Sequence, residues 1–500
     1  MTGLSGTKDD ADLVILNPRD GSLVASYPIL DQEAVTATVS SARQAASWWA
    51  AQDFAARKRL LLAWKAEIAR DAETIASSIA AETGKPAGDA LLEVMLTLGH
   101  LDWAAKNAKK TLRRRRMPAG LMNYNQSASL GYQPFGVVGV IGPWNYPLYT
   151  PMGSISYALA AGNAVVFKPS ELTPGVATLL AEKWQQVCPE PVFQVVTGDR
   201  RTGDVLVRSE VDKVAFTGST ATAKKIMAAC AESLTPLVAE CGGKDALIVA
   251  ADADLQAAAD FIVFGAMGNA GQTCVGVERV YVEAQVHRKL LELVVAGVAK
   301  LSFEGDGAAY GPLTLGSQAE VVSAHVADAL ERGGRAAWGG PESISGRRVT
   351  PIVLTDVPEE SLSIQQETFG PTVVINRVES IDDAIARANA TAYGLGAAVF
   401  TRDKRLGLAI AEQLRAGAVT VNSVLGFASI PALPFGGVGG SGFGRIHGAN
   451  GLLEFSVAKS IARQNRKAAL NLLTMDRSER DMNLVSRLIP LLHGRGKPRN

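Results

Sequence analysis

Cysteine is scarce in this 500-residue chain: Cys188, Cys230, Cys241 and Cys274 are the four present, none at CxxC spacing and none beside a histidine cluster. A disulfide framework and a structural zinc site are thereby excluded, and no metal is expected. Only five histidines occur, and none stands in a motif with a spaced Asn or Asp that would suggest a cysteine hydrolase. Long hydrophobic runs are missing too, since no stretch of about 18 apolar residues is uninterrupted and nothing reads as a membrane span. The first twelve residues are polar and acidic, without the basic-then-apolar order of a signal peptide, so a cytoplasmic location is expected. Nor does one sign of charge dominate: 50 Lys plus Arg against 49 Asp plus Glu leave +1, and nucleic acid is not an expected partner.

What is present is a globular composition, 47% hydrophobic with 49 glycines. A chain of this length has room for about three domains and a large core. Residues 31–110 are rich in Ala, Leu and charge, with Leu60, Leu61, Trp64, Ile68, Ile75 and Ile79 at helical spacing, which predicts about three helices. Gly84 and Pro86 read as a helix stop and restart. Between 136 and 250, short Val- and Ile-rich runs alternate with helical patterns, which argues a parallel sheet covered by helices. A helix over 255–267 and strands near 279–282 and 349–354 predict a second α/β domain. Two basic tracts stand apart from this. Residues 106–116 carry Arg113, Arg114, Arg115 and Arg116, and the tail past 460 sets Leu484, Leu488, Ile489, Leu491 and Leu492 among Arg487, Arg495, Lys497 and Arg499. The plain reading is solvated surface or subunit packing; the sharper one is peripheral contact with a membrane surface through the tail.

Cys274 is the thiol that looks least like core. It ends Gly268-Asn269-Ala270-Gly271-Gln272-Thr273-Cys274, a small, polar, flexible-looking loop between helix and strand, where a thiolate and a backbone N–H donor could meet a carbonyl. Glu240 ends a short apolar strand before Cys241-Gly242-Gly243-Lys244; partly apolar surroundings would raise its pKa into the range useful for activating water, and a cap or a pair with Lys244 is the alternative. Asn145, in the turn Gly142-Pro143-Trp144-Asn145, is a neutral donor of the kind that stabilises an oxyanion. Two further turns suit a nucleotide: Lys168-Pro169-Ser170-Glu171, and Thr217-Gly218-Ser219 opening a helix. Neither carries G-x-G-x-x-G.

In this order, together with Glu367-Thr368-Phe369-Gly370-Pro371 and Pro434-Phe435-Gly436-Gly437, these motifs closely resemble the successive signatures of the aldehyde dehydrogenase superfamily from about residue 12 to 460. The resemblance implies an α/β fold with three parts. A modified Rossmann NAD-binding domain would span 12–111 and 135–241, and a catalytic domain 242–454. A small β oligomerisation element would take 112–134 and 455–463, followed by a basic C-terminal extension over 464–500. It implies that Cys274 attacks the aldehyde, with Asn145 and the Cys274 N–H as oxyanion donors, and that Glu240 activates water to hydrolyse the thioester. Lys168 and Glu171 would bind the adenosine ribose, with Ser170 in the same turn. Trp144, Gly218 and Ser219 would lie near the pyrophosphate, and Glu367 and Phe369 at the nicotinamide ribose and ring. A carboxylate at Glu171 would repel a 2′-phosphate, so NAD is expected over NADP. A homodimer or homotetramer is implied.

Three positions depart from the family pattern: Ala223 in place of a second Gly, Cys241 after the base, and Ser154 where many members carry a lysine. The substrate is left open. Leu425, Phe427 and Ile430 suggest an apolar entrance for medium or long aliphatic or aromatic aldehydes. The chain is also similar to bacterial succinic-semialdehyde dehydrogenases, and Arg279 or Arg445 would then pair with a carboxylate; a structural role for both arginines is the plainer reading. An acylating enzyme that uses CoA is the other alternative, against which the presence of Glu240 argues.

Overall fold

The computed structural model describes residues 12–120, 123–303, 305, 307–468, 470 and 472–494. Most of the acidic N-terminal stretch, and Arg495, Lys497 and Arg499 of the tail, lie outside these described residues. After a ribbon of β1 (Asp12–Leu16) and β2 (Leu23–Pro28), the Ala- and Leu-rich segment forms four helices rather than three: α1 (Gln32–Ala51), α2 (Phe54–Arg70), α3 (Ala72–Thr83) and α4 (Ala87–Leu112). The additional boundary falls at Asp71, which leaves the helical conformation and ends α2 as it begins α3. Asp31 and Asp53 cap the first two helices, accepting from the N–H of Ala34 at 2.9 Å and of Ala56 at 2.7 Å. Gly84 stops α3 at φ +76°, a conformation that costs a residue with a Cβ, and Pro86 precedes α4. Trp64 of α2 is fully buried against the rings of Trp184 and Phe193, each with its centroid 5.2 Å away, so these aromatics lock the helical layer onto the α/β part of the chain.

Next come β3 (Arg115–Met117) and β4 (Gln126–Pro134), then the first α/β run. It comprises β5 (Val137–Ile141), α5 (Tyr149–Ala161), β6 (Ala164–Lys168), α6 (Gly175–Val187) and β7 (Phe193–Val195). It continues through α7 (Arg200–Arg208), β8 (Lys213–Thr217), α8 (Thr220–Ser233) and β9 (Leu237–Glu240). The second run holds β10 (Asp245–Val249), α9 (Leu255–Met267), β11 (Val277–Glu283), α10 (Ala284–Val298), α11 (Gln318–Glu331) and β12 (Arg335–Trp338). It goes on with β13 (Ile344–Ser345), β14 (Arg348–Val349), β15 (Ile352–Thr355), α12 (Leu362–Gln365), β16 (Thr372–Val378), α13 (Ile381–Ala388), β17 (Gly396–Phe400), α14 (Lys404–Gln413) and β18 (Ala418–Val421). The chain closes with β19 (Gly442–Phe443), α15 (Gly448–Glu454), β20 (Ser456–Gln464) and α16 (Glu479–His493).

Two large sheets result, ordered β19-β9-β8-β5-β6-β7 and β12-β15-β16-β11-β10-β17-β18. Each is parallel apart from one antiparallel edge strand, β19 or β12. Their strands read as unbroken apolar runs because helices cover both faces, which is why Val137–Ile141 and Asp245–Val249 lack the alternation of a half-exposed strand. The chain crosses from one sheet to the other between Glu240 and Asp245.

By its contacts the chain divides into one unit of Met1–Leu112 with Gln133–Val457 and another of Arg113–Tyr132 with Ala458–Asn500. In the second unit β3 pairs antiparallel with β4, in a three-stranded sheet of order β20-β4-β3.

Candidate active site

The first sheet delivers its motifs from the carboxyl ends of its strands: Trp144 and Asn145 after β5, Lys168 at the end of β6, Gly218 and Ser219 after β8, Glu240 at the end of β9. Register makes them neighbours, since Ile141 lies opposite Lys168 and Thr217 opposite Glu240. Cys274 arrives from the other direction, after α9 and before the amino end of β11. Its loop is turned by three consecutive left-handed residues, Asn269 at φ 53°, Ala270 at 56° and Gly271 at 69°. At Gly271 a Cβ would lie 2.0 Å from the Gly370 carbonyl oxygen, so no side chain fits there.

That loop is pinned, not flexible as its composition suggested. The Asn145 amide donates to the Gln272 carbonyl at 2.9 Å, Asn269 Nδ2 donates to the carbonyls of Asn145 and Gln272 at 3.2 Å each, and Gln272 Nε2 returns to the Asn269 carbonyl at 2.9 Å. Gln272 Oε1 also accepts from the Thr314 N–H at 2.8 Å. Beneath Asn145 lies a fully buried ion pair that sequence reasoning missed. Lys85 Nζ donates to Glu93 Oε2 at 2.7 Å and to the Asn145 carbonyl at 2.8 Å, while Glu93 Oε1 accepts from the N–H groups of Leu148 and Tyr149 at 2.9 and 3.0 Å. The only sequence signal was Lys85 standing between a helix-stopping Gly and a Pro.

Glu240 is buried, with Oε2 accepting from Thr217 Oγ1 at 3.3 Å and Oε1 without a partner among the described residues. Burial pushes its pKa up to about 7, opposed by hydrogen bonding to Cys274 and Thr217. The Cys274 thiol is raised well above its usual range by burial first and then by the nearby carboxylates Glu240 and Glu367. The cysteine and the glutamate are thus brought together as a protonated thiol facing a carboxyl poised to ionise near neutrality. The alternative pairing of Glu240 with Lys244 does not form: Lys244 is buried and bonded to Glu278 and to Thr368 Oγ1. Glu278 in turn accepts from the N–H of Thr368 at 2.9 Å and of Phe369 at 3.2 Å, which braces the turn bearing Glu367. Glu367 accepts from the Gly243 N–H at 3.0 Å, a Cβ on Gly242 would lie 2.1 Å from its Oε2, and burial lifts its pKa to about 8. Phe369, at φ 53°, stands edge-on to Trp144 with centroids 5.6 Å apart.

At the nucleotide turns, Lys168 Nζ is buried 3.4 Å from Glu171, whose carboxylate is exposed. Burial lowers the Lys168 pKa and Glu171 works against that. Ser170 is buried and accepts from the Leu172 N–H at 3.2 Å, so it shapes the turn. Ser219 caps α8 by accepting from the Thr222 N–H at 3.2 Å. A Cβ on Gly218 would come within 2.7 Å of the Phe216 ring, which explains the glycine as a close approach. Buried lysine, exposed carboxylate, capped helix start and the Trp144–Phe369 pair fit a dinucleotide laid across the carboxyl ends of β5, β6 and β8. Ala223 and Cys241 are both buried in one apolar cluster with Phe216 and Ala239, so the extra methyl and the second thiol serve packing there.

Beside Cys274 and Glu240 opens a cavity of about 330 Å³ whose walls include Leu92, Leu96, Phe264, Val424, Phe435 and Ile446. Leu425 lines it as expected, whereas Phe427 and Ile430 do not, and Asn145 reaches the Cys274 loop rather than the cavity wall. His447 was not anticipated. It lines the cavity, fully buried at φ 63°, with neither ring nitrogen bonded among the described residues, and burial holds its pKa well below the usual value. Arg279 and Arg445 are not in the cavity. The first donates to the carbonyls of Lys244 at 2.9 and 2.7 Å and of Ala388 at 3.0 Å, the second to those of Gly437 and Gly444 at 2.9 and 2.7 Å, so both serve the backbone. Ser154 is buried inside α5.

A family model described as the aldehyde dehydrogenase family matches residues 6–461. Among relatives, the 4,4'-diapolycopene aldehyde oxidase of Methylomonas sp is 35% identical, over 89% of this chain and 84% of its own. A Mycolicibacterium smegmatis protein named as a putative NADP(+) succinate-semialdehyde dehydrogenase is 36% identical, over 88% of this chain and 87% of its own. The crystal structure of an aldehyde dehydrogenase from Brucella melitensis biovar abortus 2308 superimposes with a TM-score of 0.87 at 32% identity, covering 93% of this chain and 96% of that one.

Lys85→Met leaves Glu93 buried without its cation and is expected to cost about 3–5 kcal/mol in denaturant unfolding. Adding Glu93→Gln, which removes the charge and keeps the acceptor for Leu148 and Tyr149, should restore more than half of the loss. Unchanged stability in the single variant would show that the pair does not hold this corner.

Proposed function

The chain belongs to the aldehyde dehydrogenase family, and from that premise we propose that it oxidises an apolar aldehyde to the carboxylic acid, with Cys274 as nucleophile and Glu240 as base. The facing thiol and carboxyl carry the reading. Glu240 takes the thiol proton, Cys274 Sγ bonds to the aldehyde carbon, and the developing oxyanion is met by the Cys274 N–H, for which no acceptor occurs among the described residues. The Asn145 amide has a second hydrogen beyond the one given to Gln272 and serves the same oxygen. A pyridine nucleotide, when bound, supplies the hydride acceptor. Lys168 and Glu171 hold its adenosine ribose, with Ser170 shaping that turn; Trp144, Gly218 and Ser219 lie along its phosphates, and Glu367 with Phe369 at the nicotinamide end. Collapse of the thiohemiacetal leaves a thioester on Cys274. Glu240, once it has passed the thiol proton to solvent and with Oε1 free to accept from water, then removes a proton from water as it attacks, releasing the acid. A base at this position supports hydrolysis over transfer to CoA.

The cavity supports an apolar substrate class. Its one lysine, Lys85, is spent on Glu93, its arginine candidates lie elsewhere, and its wall is mostly aliphatic and aromatic. A carboxylate on the substrate would be desolvated there without a partner, so a long aliphatic, polyene or aromatic aldehyde fits better than succinic semialdehyde. The cofactor choice rests on Lys168 and Glu171. Glu171 repels a 2′-phosphate, but its exposure lets it turn to solvent, so NAD is preferred by a narrow margin and NADP is also used. The exposed nine-residue edge strand β20 pairs copies of the chain into a homo-oligomer.

Cys274→Ala abolishes NADH formation, and Glu240→Gln lowers steady-state turnover about 10²-fold or more. In the wild type, steady-state turnover falls as pH drops through about 7, because the base is lost on protonation, and this limb disappears in Glu240→Gln. Steady-state activity in the alanine variant would end the mechanism. Across a series of straight-chain aldehydes, kcat/KM should rise about fourfold per methylene until the cavity is filled. Succinic semialdehyde outperforming hexanal would overturn the substrate assignment. Glu171→Ala should move the NADP to NAD ratio of kcat/KM toward NADP by about fivefold, as expected for an exposed charge; no movement would remove Glu171 from cofactor choice.

A further inference from the structure

We propose that the second unit, Arg113–Tyr132 with Ala458–Asn500, is a docking surface for an anionic phospholipid bilayer, with the apolar face of α16 lying in the lipid interface. The near-neutral total charge conceals a strong segregation. Those two segments contain 14 Lys plus Arg and 3 Asp plus Glu, a net +11, which leaves −10 for the rest of the chain. Arg113, Arg114, Arg115 and Arg116 are all exposed, and no basic side chain of this unit pairs with a carboxylate among the described residues. An uncompensated cationic surface attracts an anionic one.

Charge alone would suit any polyanion. The second observation is α16, a fifteen-residue helix with no buried residue. Met482, Val485, Ile489 and Leu492 recur along one side, flanked by Leu488 and Leu491, while Arg480, Asn483, Ser486 and Arg487 take the other. Exposure of this apolar side is substantial, 56% at Ile489 and 62% at Leu491, and Leu473 and Met475 just before the helix are exposed at 86% and 96%. The helix is too short and too polar to span a bilayer, and no helix among the described residues is long and apolar enough to do so. An apolar half and a cationic half on one short helix is the composition that lies flat at a lipid surface. Nucleic acid would use the arginines and leave the leucines in water, and a second copy joined helix to helix at α16 would cover the leucines and leave the arginines without an anion. The family match ends at residue 461, so α16 lies beyond it.

The full-length chain, without substrate, is pelleted with sucrose-loaded vesicles of phosphatidylcholine alone or with about 30% phosphatidylglycerol, at low and high salt. Expected is sedimentation with the anionic vesicles, falling at least tenfold at high salt and at least tenfold in Leu488→Asp/Ile489→Asp. That variant should keep aldehyde oxidation and oligomeric mass unchanged, which separates lost docking from misfolding. A second variant, Arg113→Glu/Arg115→Glu, should lose binding with α16 intact. No sedimentation of the wild-type chain with anionic vesicles overturns the proposal. So does an Asp variant that changes oligomeric mass while vesicle binding persists, which would assign the helix to contact between copies. Retention on duplex DNA with no vesicle binding would also overturn it. Because no aldehyde is present, this result is independent of the substrate assigned above.

Discussion

The placement of Cys274 depends on three successive residues held in the left-handed region. For the two that are not glycine, Asn269 and Ala270, this conformation costs on the order of 1–3 kcal/mol each, and it persists only where the surroundings over-determine it. Here they do. The Asn269 and Gln272 amides close on one another's carbonyls, Asn145 and Thr314 hold Gln272 from outside, and the Lys85–Glu93 pair holds Asn145 from below. Each link uses a buried donor that would be orphaned if the loop relaxed, so strain in the turn is offset by hydrogen bonds that no other arrangement offers. The thiol is thereby brought from the amino end of one sheet to the carboxyl end of another.

The same crowding sets the ionisation of the site. Glu240 at about 7, Glu367 at about 8 and Asp245 at about 8 are all raised mainly by burial, and each acts on the Cys274 thiol in the same direction. A carboxyl whose folded pKa lies above its unfolded value contributes fully to stability below the unfolded value of about 4 and loses that contribution as pH rises through its folded pKa. Above about pH 8 these groups oppose folding, and the proximity of carboxyl to thiol is kept at the expense of stability in alkali.

Much of this was legible in the sequence wherever a motif coincided with the end of a strand. The turns after β5, β6, β8 and β9 announce themselves because an unbroken apolar run stops and small or polar residues begin, and α9 has the bounds its pattern predicts. The cavity wall was less legible. It is assembled from α4, α9 and the segments around 424–429 and 435–447, which are hundreds of residues apart, and no local spacing marks Leu92, Leu96 or His447 as neighbours of Cys274. Charge was an ambiguous cue, and the structural reading of the two arginines is the one that holds. Arg279 looked available for a substrate carboxylate, yet it satisfies backbone carbonyls, because a buried guanidinium with five donors ends chain segments more readily than it waits for an anion. The loop read as flexible from its Gly and Ala content is held by its hydrogen bonds, and at Gly271 no Cβ fits against the Gly370 carbonyl.

An apolar cavity and a segregated basic unit bear on the same physical difficulty. Long apolar aldehydes partition out of water by about 0.8 kcal/mol for each methylene, so their free aqueous concentration falls steeply with length. Complementarity in a cavity of about 330 Å³ recovers that transfer energy only after the molecule has arrived, and a more apolar wall cannot raise the rate of encounter with a substrate that is not in solution. Charge can. On the docking proposed above, residence at a lipid surface would replace a search through water with one confined to that surface, and the basic residues suited to it fall in the unit of Arg113–Tyr132 with Ala458–Asn500. An overall charge of +1 is then the sum of +11 on Arg113–Tyr132 with Ala458–Asn500 and −10 on the rest of the chain.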